Sequence, residues 1–246
     1  MKNIGKVVIM GASSGLGYAL AERFIRDGWT VGVAARRQEP LQQLRQLAPD
    51  RVFAMPVDIT ADDAPSALNR LIKEMGGMDM YVHSSGIGHQ NPDLDTDIEE
   101  KTLQTNACGF VRMIDAAFLY FRENGGGHIA AITSVAGIRP LGQSASYSAT
   151  KIMQTAYMDG LEQISRRRNL GISFTDIKPG YVRTPLLSPN KKRIMLMDVD
   201  YAADRILKSL YRKKRMSIID WRYHVIVTIG RLIPKCIWQR LPIVSR

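Results

Sequence analysis

Tyr147 and Lys151 stand four residues apart in the run Tyr147-Ser-Ala-Thr-Lys151. On a helix that spacing puts both on one face, one turn apart. A lysine ammonium beside a tyrosine favours the phenolate and so lowers the phenol's pKa. That turns an inert hydroxyl into an acid or base usable near neutral pH. Thirteen residues upstream, Ser134 follows a strand-like run and offers a hydroxyl to a substrate oxygen. Taken singly, a tyrosine and a lysine are ordinary helix surface. Their conjunction with Ser134, and with a glycine-rich turn near the start of the chain, is what points to chemistry.

That turn, Gly11-Ala-Ser13-Ser14-Gly15-Leu16-Gly17, lies between an apolar run at 6–10 and an amphipathic segment at 16–26. Glycines let the chain turn tightly and bring backbone N–H groups close to a pyrophosphate, while the positive end of the helix dipole faces the anion. A strand-to-helix turn with no ligand is the bland alternative, and the surrounding strand–helix–strand frame argues against it. No Lys-Ser/Thr pair follows the last glycine, so the turn is not a Walker loop. The second strand ends in Ala35-Arg36-Arg37. In a dinucleotide fold this position meets the adenosine ribose, where an acid accepts from a free 2′-hydroxyl and an arginine pairs with a 2′-phosphate. Two arginines and no acid favour NADP (NADPH) over NAD; two solvated helix-start charges are the alternative. Asp58, followed by Ile59, comes just after the third strand. It is placed to reach the adenine edge, or else to cap the next helix.

Short apolar runs at 6–10, 30–35, 51–57, 80–83, 128–133, 172–178 and 216–219 read as strands. Between them, 16–26, 40–47, 61–75, 97–108, 110–123, 146–168 and 200–212 read as helices. Strands alternating with helices imply βαβ units. The expected class is α/β: a Rossmann-type, doubly wound parallel sheet of about seven strands with helices on both faces. There is no internal repeat and no low-complexity linker, so residues 1–246 read as one domain. Ligands in such sheets bind at the carboxyl edge of the strands, where Ser134 sits. The segment 183–198 breaks the rhythm, with Pro185, Pro189 and the cluster 191–193. It reads as a functional lid or as a surface loop.

With 45% hydrophobic and 23% charged residues in 246, the composition is that of a globular protein. The net charge of +11 is unevenly placed. Residues 207–246 hold ten Lys/Arg against one acid, Asp220, a net of +9, which leaves 24 basic and 22 acidic residues, +2, in 1–206. A nucleic-acid binder should carry its charge on the folded body, so nucleic acid is not an expected partner. Cys108 and Cys236 form no C-x-x-C pair, which fits free thiols in a reducing, cytoplasmic compartment. His83, His89, His128 and His224 never fall at H-E-x-x-H spacing, and no metal site is expected. The polar start, residues 1–6, leaves no room for a signal peptide, and no apolar run approaches the ~18–20 residues of a membrane span.

Taken together, these motifs resemble the short-chain dehydrogenase/reductase family from the start of the chain to about residue 206. Gly11-x-x-x-Gly15-x-Gly17 looks like its cofactor turn, with Ser13, Ser14 and Leu16 inside it. Ser134, Tyr147 and Lys151 look like its catalytic serine, tyrosine and lysine, and Asn106 in QTNACG like its catalytic asparagine. Pro179-Gly180, with Val182 and Thr184, resembles the segment that approaches the nicotinamide amide, and 185–198 corresponds to the substrate loop. The resemblance implies hydride transfer between nicotinamide and a small-molecule carbonyl or secondary alcohol. Tyr147 would exchange the proton, Lys151 would lower its pKa and hold the nicotinamide ribose, Ser134 would orient the substrate oxygen, and Asn106 would hold a water linking Lys151 to solvent. It also implies a homodimer or homotetramer through the helices 110–123 and 146–168. Met10 stands where the family has threonine, and His83-Ser84-Ser85-Gly86 stands for Asn-Asn-Ala-Gly; Ser85 and Gly86 would still line the cofactor cleft. His83 reads as a ligand contact or as a satisfied strand-end histidine. A cofactor-binding sensor without catalysis is the competing reading, and the complete Asn-Ser-Tyr-Lys set argues against it.

Beyond the resemblance, Val225, Ile229, Leu232 and Cys236 recur at helical spacing within 221–241, where Gly230 and Pro234 would bend or divide a helix. Arg222, Arg231, Lys235 and Arg240, with Trp221 and Trp238, make the basic extension 217–246 suited to an anionic membrane interface. The same segment equally fits a helix packed over the cleft or against a partner subunit. Leu186, Leu187, Ile194, Met195, Leu196 and Met197 in the loop suggest an apolar, lipid-like substrate.

Overall fold

Alternation along β1 (Lys6–Met10) sets the layers of the molecule. Val7 and Ile9 face one side, where they meet Leu20, Phe24, Leu44 and Ile206. Val8 and Met10 face the other, against Leu68, Leu71 and Ile114. A strand buried on both faces is what a parallel sheet covered by helices requires. The structure, a computed structural model, describes residues 4–187 and 195–241. The elements run α1 (Gly15–Arg26), β2 (Thr30–Ala35), α2 (Gln38–Leu47), β3 (Val52–Pro56), α3 (Ala64–Met75), β4 (Met80–His83), α4 (Thr96–Leu103), α5 (Phe110–Glu123), β5 (Gly127–Ile132), α6 (Ala145–Arg167), β6 (Ile172–Lys178), α7 (Val199–Tyr211), β7 (Met216–Ile218), α8 (Trp221–Leu232) and α9 (Lys235–Trp238).

All seven strands are parallel, in the order β3-β2-β1-β4-β5-β6-β7. Val7 pairs with Val31 on one side and Met80 on the other, so the order reverses between β1 and β4. This switch point opens a crevice at the strands' carboxyl ends. Residues of α1, α2 and α7 fill one layer; α3, α5 and α6 fill the other.

Two boundaries differ from the sequence expectation in ways that matter. The helix expected from 61 begins at Ala64, because Asp58 to Ala61 first closes a turn (Ala61 N to Asp58 O, 3.1 Å). Asp58 therefore caps that turn, not the helix. No break falls at 109: α4 runs through a π-helical turn, Gln104–Gly109, straight into α5. A wider turn admits an extra residue and turns its side chains away from the regular helical face, a device common at functional sites. The C-terminal helix is divided at Pro234, as its composition implies.

Candidate active site

Between β1 and α1 the backbone is bent as only glycine permits. Gly11 has φ +95°, and a Cβ there would lie 2.6 Å from the Ser85 amide nitrogen; at Gly17 it would strike the Gly11 carbonyl. The turn is thus pressed against the segment after β4, and the first turn of α1 carries no acid to neutralise its amides. This is the cradle an anion needs. Arg37 reaches across it, donating from Nη2 to the Ser13 carbonyl (3.1 Å) and Oγ (3.2 Å). Arg36 stands exposed near Asp58. Asp58 accepts from the Thr60 amide (3.0 Å) and hydroxyl (2.8 Å). The bond from that amide is the main reason its carboxyl lies below the usual range, with Arg36 assisting.

At the other end of the crevice, Ser134 caps a short 3₁₀ turn, Val135–Gly137, its Oγ accepting from the Ala136 amide at 3.0 Å. The hydroxyl also bonds to Tyr147, which α6 presents in its first turn. Lys151, 4% exposed, lies with Nζ 5.7 Å from the Tyr147 ring centroid. Nζ donates to the Ile132 carbonyl (3.1 Å) and to Gln154 Oε1 (3.0 Å). Asn106 is fully buried and gripped by Ile87, whose amide donates to Oδ1 (2.9 Å) and whose carbonyl accepts from Nδ2 (2.7 Å).

One finding corrects the electrostatic expectation for these groups. Burial pushes the Tyr147 phenol above its ordinary value; the Ser134 hydrogen bond opposes this and Tyr181 adds to it. The expected lowering by Lys151 does not prevail because the lysine shares the burial. Burial brings its own pKa down to about 7, with Asp176 opposing and Lys178 assisting. A partly charged amine over the ring, not on the hydroxyl, is a weak stabiliser of phenolate. Between the Asn106 main chain and Lys151 stands a residue the sequence reading did not single out. Gln154, 1% exposed, spans that gap, donating Nε2 to the Asn106 carbonyl (2.8 Å) while accepting from Lys151. Its place one helical turn after Lys151 was the available signal in the sequence.

One cleft of about 1260 Å³ joins both ends. Gly11, Ser13, Ser14, Gly15, Leu16, Arg36, Arg37, Asp58, Ile59, Ser85, Gly86, Ser134, Tyr147, Lys151, Pro179, Gly180, Val182 and Thr184 all line it. Gly17 and Asn106 lie behind its wall, where they shape the turn and the segment after β4. His83 is a buried strand-end residue, half satisfied: its Nδ1 meets the Tyr81 hydroxyl at 3.0 Å while its Nε2 has no hydrogen-bond partner among the described residues, and burial, with Lys151 nearby, lowers its pKa to about 3. Among the described residues no group of His, Cys, Asp or Glu comes together as a metal site.

The mouth of the cleft is covered by the C-terminal segment, a role that Arg139 and Tyr223 organise. Arg139 donates to the carbonyls of Gly230 (3.1 Å), Arg231 (3.1 Å) and Ile233 (2.7 Å), the open end of α8. Trp238 Nε1 donates to the Pro140 carbonyl at 2.9 Å. Tyr223 fills the space above Gly180, where any Cβ would collide with its ring, and its hydroxyl accepts from the Tyr181 amide at 2.9 Å. Of the alternatives for this segment, packing over the cleft is therefore realised. The face doing so is Tyr223, Val227 and Gly230, and the stripe of Val225, Ile229 and Leu232 points to solvent. Val182, just before the substrate loop, bridges Met197 within it, while Leu186, Leu187, Met195 and Leu196 are partly or fully exposed. Pro189, the 191–193 cluster and Ile194 lie outside the described residues, as does 242–246 of the extension.

Comparison with known proteins agrees with this geometry. The family model described as short chain dehydrogenase matches residues 5–194. An uncharacterized oxidoreductase of Myxococcus xanthus is 30% identical over 234 residues, covering 92% of each chain. A short chain dehydrogenase of Burkholderia cenocepacia, solved with NADP, superposes with a TM-score of 0.84 at 21% identity, covering 98% of this chain and 99% of that one. A 3-ketoacyl-(acyl-carrier-protein) reductase of Brucella melitensis, solved with NADH, gives 0.80 at 23%, covering 95% and 100%. At such identities the two structures speak for the fold alone.

Proposed function

The chain belongs to the short chain dehydrogenase family, and from that premise we propose that it is an NADPH-dependent reductase of carbonyl groups, running in reverse on secondary alcohols. The observation that carries this reading is the convergence of Ser134, Tyr147 and Lys151 in the same cleft as the glycine turn. Gly11, Gly15 and Gly17 leave room for a pyrophosphate against the α1 amides, and Arg36 and Arg37 supply cations for a 2′-phosphate. The nicotinamide cofactor, when bound, supplies the hydride.

The chain's own groups do the rest. Tyr147, held as a neutral phenol by burial, keeps a proton on Oη to give to a carbonyl oxygen. Ser134 orients that oxygen with its hydroxyl, a donor preorganised by the Ala136 amide. Lys151 faces the ring of Tyr147 and is held by Gln154 and the Ile132 carbonyl. Asn106 fixes the segment after β4 through Ile87. Leu141, Leu186, Leu187, Ile226 and Trp238 line the same cleft, a lining suited to an apolar, lipid-like substrate. Loss of NADPH absorbance across a panel of ketones and aldehydes tests the proposal. Turnover is expected to favour long apolar carbonyls and NADPH over NADH. Tight NADPH binding with no oxidation across the panel would instead mark a sensor.

The reading extends to location and assembly. Among the described residues no helix is long and apolar enough to cross a membrane. Trp221, Val225, Ile229 and Leu232 are 72%, 48%, 56% and 79% exposed along one stripe of α8, with Arg231, Lys235 and Arg240 exposed nearby. Apolar groups beside cations complement an anionic bilayer surface, which would hold a cytoplasmic enzyme at the inner face of a membrane. The full chain is expected to sediment with phosphatidylglycerol-containing vesicles and not with phosphatidylcholine alone. Ile229→Glu/Leu232→Glu should weaken sedimentation by about tenfold or more; equal sedimentation would remove α8 from the explanation. Self-association into a homodimer or homotetramer would use α5 and α6, where Leu119 and Ile164 are exposed.

A further inference from the structure

Beneath the reacting groups, β6 carries two opposite charges to which the proposed reaction gives no task. Asp176 and Lys178 are each 1% exposed, and their side chains meet at 2.8 Å. Two threonines each touch both charges. Thr133 Oγ1 donates to Asp176 Oδ1 (2.5 Å) and lies 3.4 Å from Lys178 Nζ. Thr155 Oγ1 donates to Asp176 Oδ2 (2.9 Å) and accepts from Lys178 Nζ (2.6 Å).

The positions of these four residues give the cluster its meaning. Thr133 immediately precedes Ser134. Thr155 lies one helical turn after Lys151 and also reaches its main-chain carbonyl, at 3.3 Å. Lys178 immediately precedes Pro179-Gly180. The cluster therefore joins the carboxyl ends of β5 and β6 to the middle of α6, the three elements that carry the reacting and cofactor-facing groups. A buried ion pair is a poor device for stability, because desolvation offsets most of its attraction and apolar side chains of equal volume serve as well. A requirement for fixed geometry and fixed charge at this spot accounts for it better.

We propose that Asp176 and Lys178 are positioning residues for the reaction, holding Ser134, Lys151 and the Pro179-Gly180 segment in register and setting the charge that Lys151 experiences. The inference rests on the reading of Tyr147 and Lys151 as the reacting pair. The charged and titratable groups facing Lys151 are Tyr147 on its own helix, His83 from β4, and Asp176 and Lys178 from β6. His83 is neutral across the working range, since burial holds its pKa near 3. The two β6 charges act in opposite senses: Asp176 favours the Lys151 ammonium and Lys178 disfavours it.

The sign of the expected effect follows. If the ammonium form supports turnover, activity falls as pH rises through the Lys151 pKa. Asp176→Asn removes the supporting charge, so the alkaline fall in kcat/KM should move to lower pH, by about one unit. Lys178→Met removes the opposing charge, so the fall should move to higher pH by a similar amount. The double variant should return close to the parent profile, and Thr155→Val should lower kcat with little change in KM for NADPH. NADPH binding and thermal unfolding of each variant report whether it folds. Should Asp176→Asn fail to fold, Lys178→Met and Thr155→Val still decide. Shifts in the same direction, or an unmoved midpoint with unchanged kcat, would overturn the proposal. A Tyr147→Phe enzyme that keeps its turnover would instead overturn the reading beneath it, so the two failures are told apart.

Discussion

Tyr147→Phe is expected to lower kcat for NADPH-dependent carbonyl reduction by about 10²–10⁴-fold, the range general acid catalysis contributes, while NADPH affinity stays close to that of the parent. The substitution removes one oxygen and keeps the ring. The ring is what packs over Gly88, where a Cβ would come within 2.8 Å of it, and what lies under Lys151. The walls of the cofactor end, some distance along the cleft, are untouched. Loss of rate without loss of binding therefore isolates the proton on Oη. Steady-state turnover and NADPH fluorescence titration on the same preparation check it. Since burial raises the Tyr147 phenol, the parent enzyme should hold this proton well above neutral pH, so the acid form needed for reduction is present throughout the neutral range. Retained turnover in Tyr147→Phe would defeat the assignment.

Replacing Arg36 and Arg37 by alanine together should raise KM for NADPH by roughly 10–100-fold and KM for NADH by much less. The magnitude is that of losing charge-assisted hydrogen bonds worth about 1.5–3 kcal/mol. The two arginines are not equivalent. Arg37 already bonds to Ser13 and serves the turn as well as a phosphate, whereas Arg36 stands exposed beside Asp58. Arg36→Ala alone should therefore discriminate NADPH from NADH more sharply, and Arg37→Ala should weaken both cofactors. Equal losses for both cofactors in Arg36→Ala would refute the 2′-phosphate reading.

Most of the sheet was legible because its residues obey local rules. The buried runs at β1, β2 and β4 have the length and composition of strands covered on both faces, and Gly11, Gly15 and Gly17 mark a turn that side chains would obstruct. The π turn at Gln104–Gly109 was not legible, because its sequence keeps a helical pattern and its widening depends on what Asn106 and Gln154 find across the fold. Arg139 gave no signal: its partners are main-chain carbonyls about ninety residues away. The tail's apolar spacing correctly implied an amphipathic helix, but periodicity names a face without saying where it points. In α8 the smaller face, with Tyr223 and Val227, is the one turned inward. The Tyr147 phenol shows the same limit in electrostatics. Spacing places a lysine beside it, yet burial, which sequence does not state, decides the direction.

The reversal of strand order between β1 and β4 has a consequence for how the molecule is assembled. The anion cradle needs Gly11 pressed against Ser85, and Lys6 is tied through its amide to Asp79 at 2.8 Å, 73 residues along the chain. An N-terminal fragment ending before β4 would possess the whole glycine motif and still lack the wall behind it. Closing so long a loop is slow relative to local helix formation. Cofactor binding would then report completed long-range pairing, and a saturating dinucleotide, at about 100 times its dissociation constant, would add roughly 2.7 kcal/mol to the native state alone. In a cell the abundance of such a protein would track its nucleotide supply, through the fraction of chains kept folded.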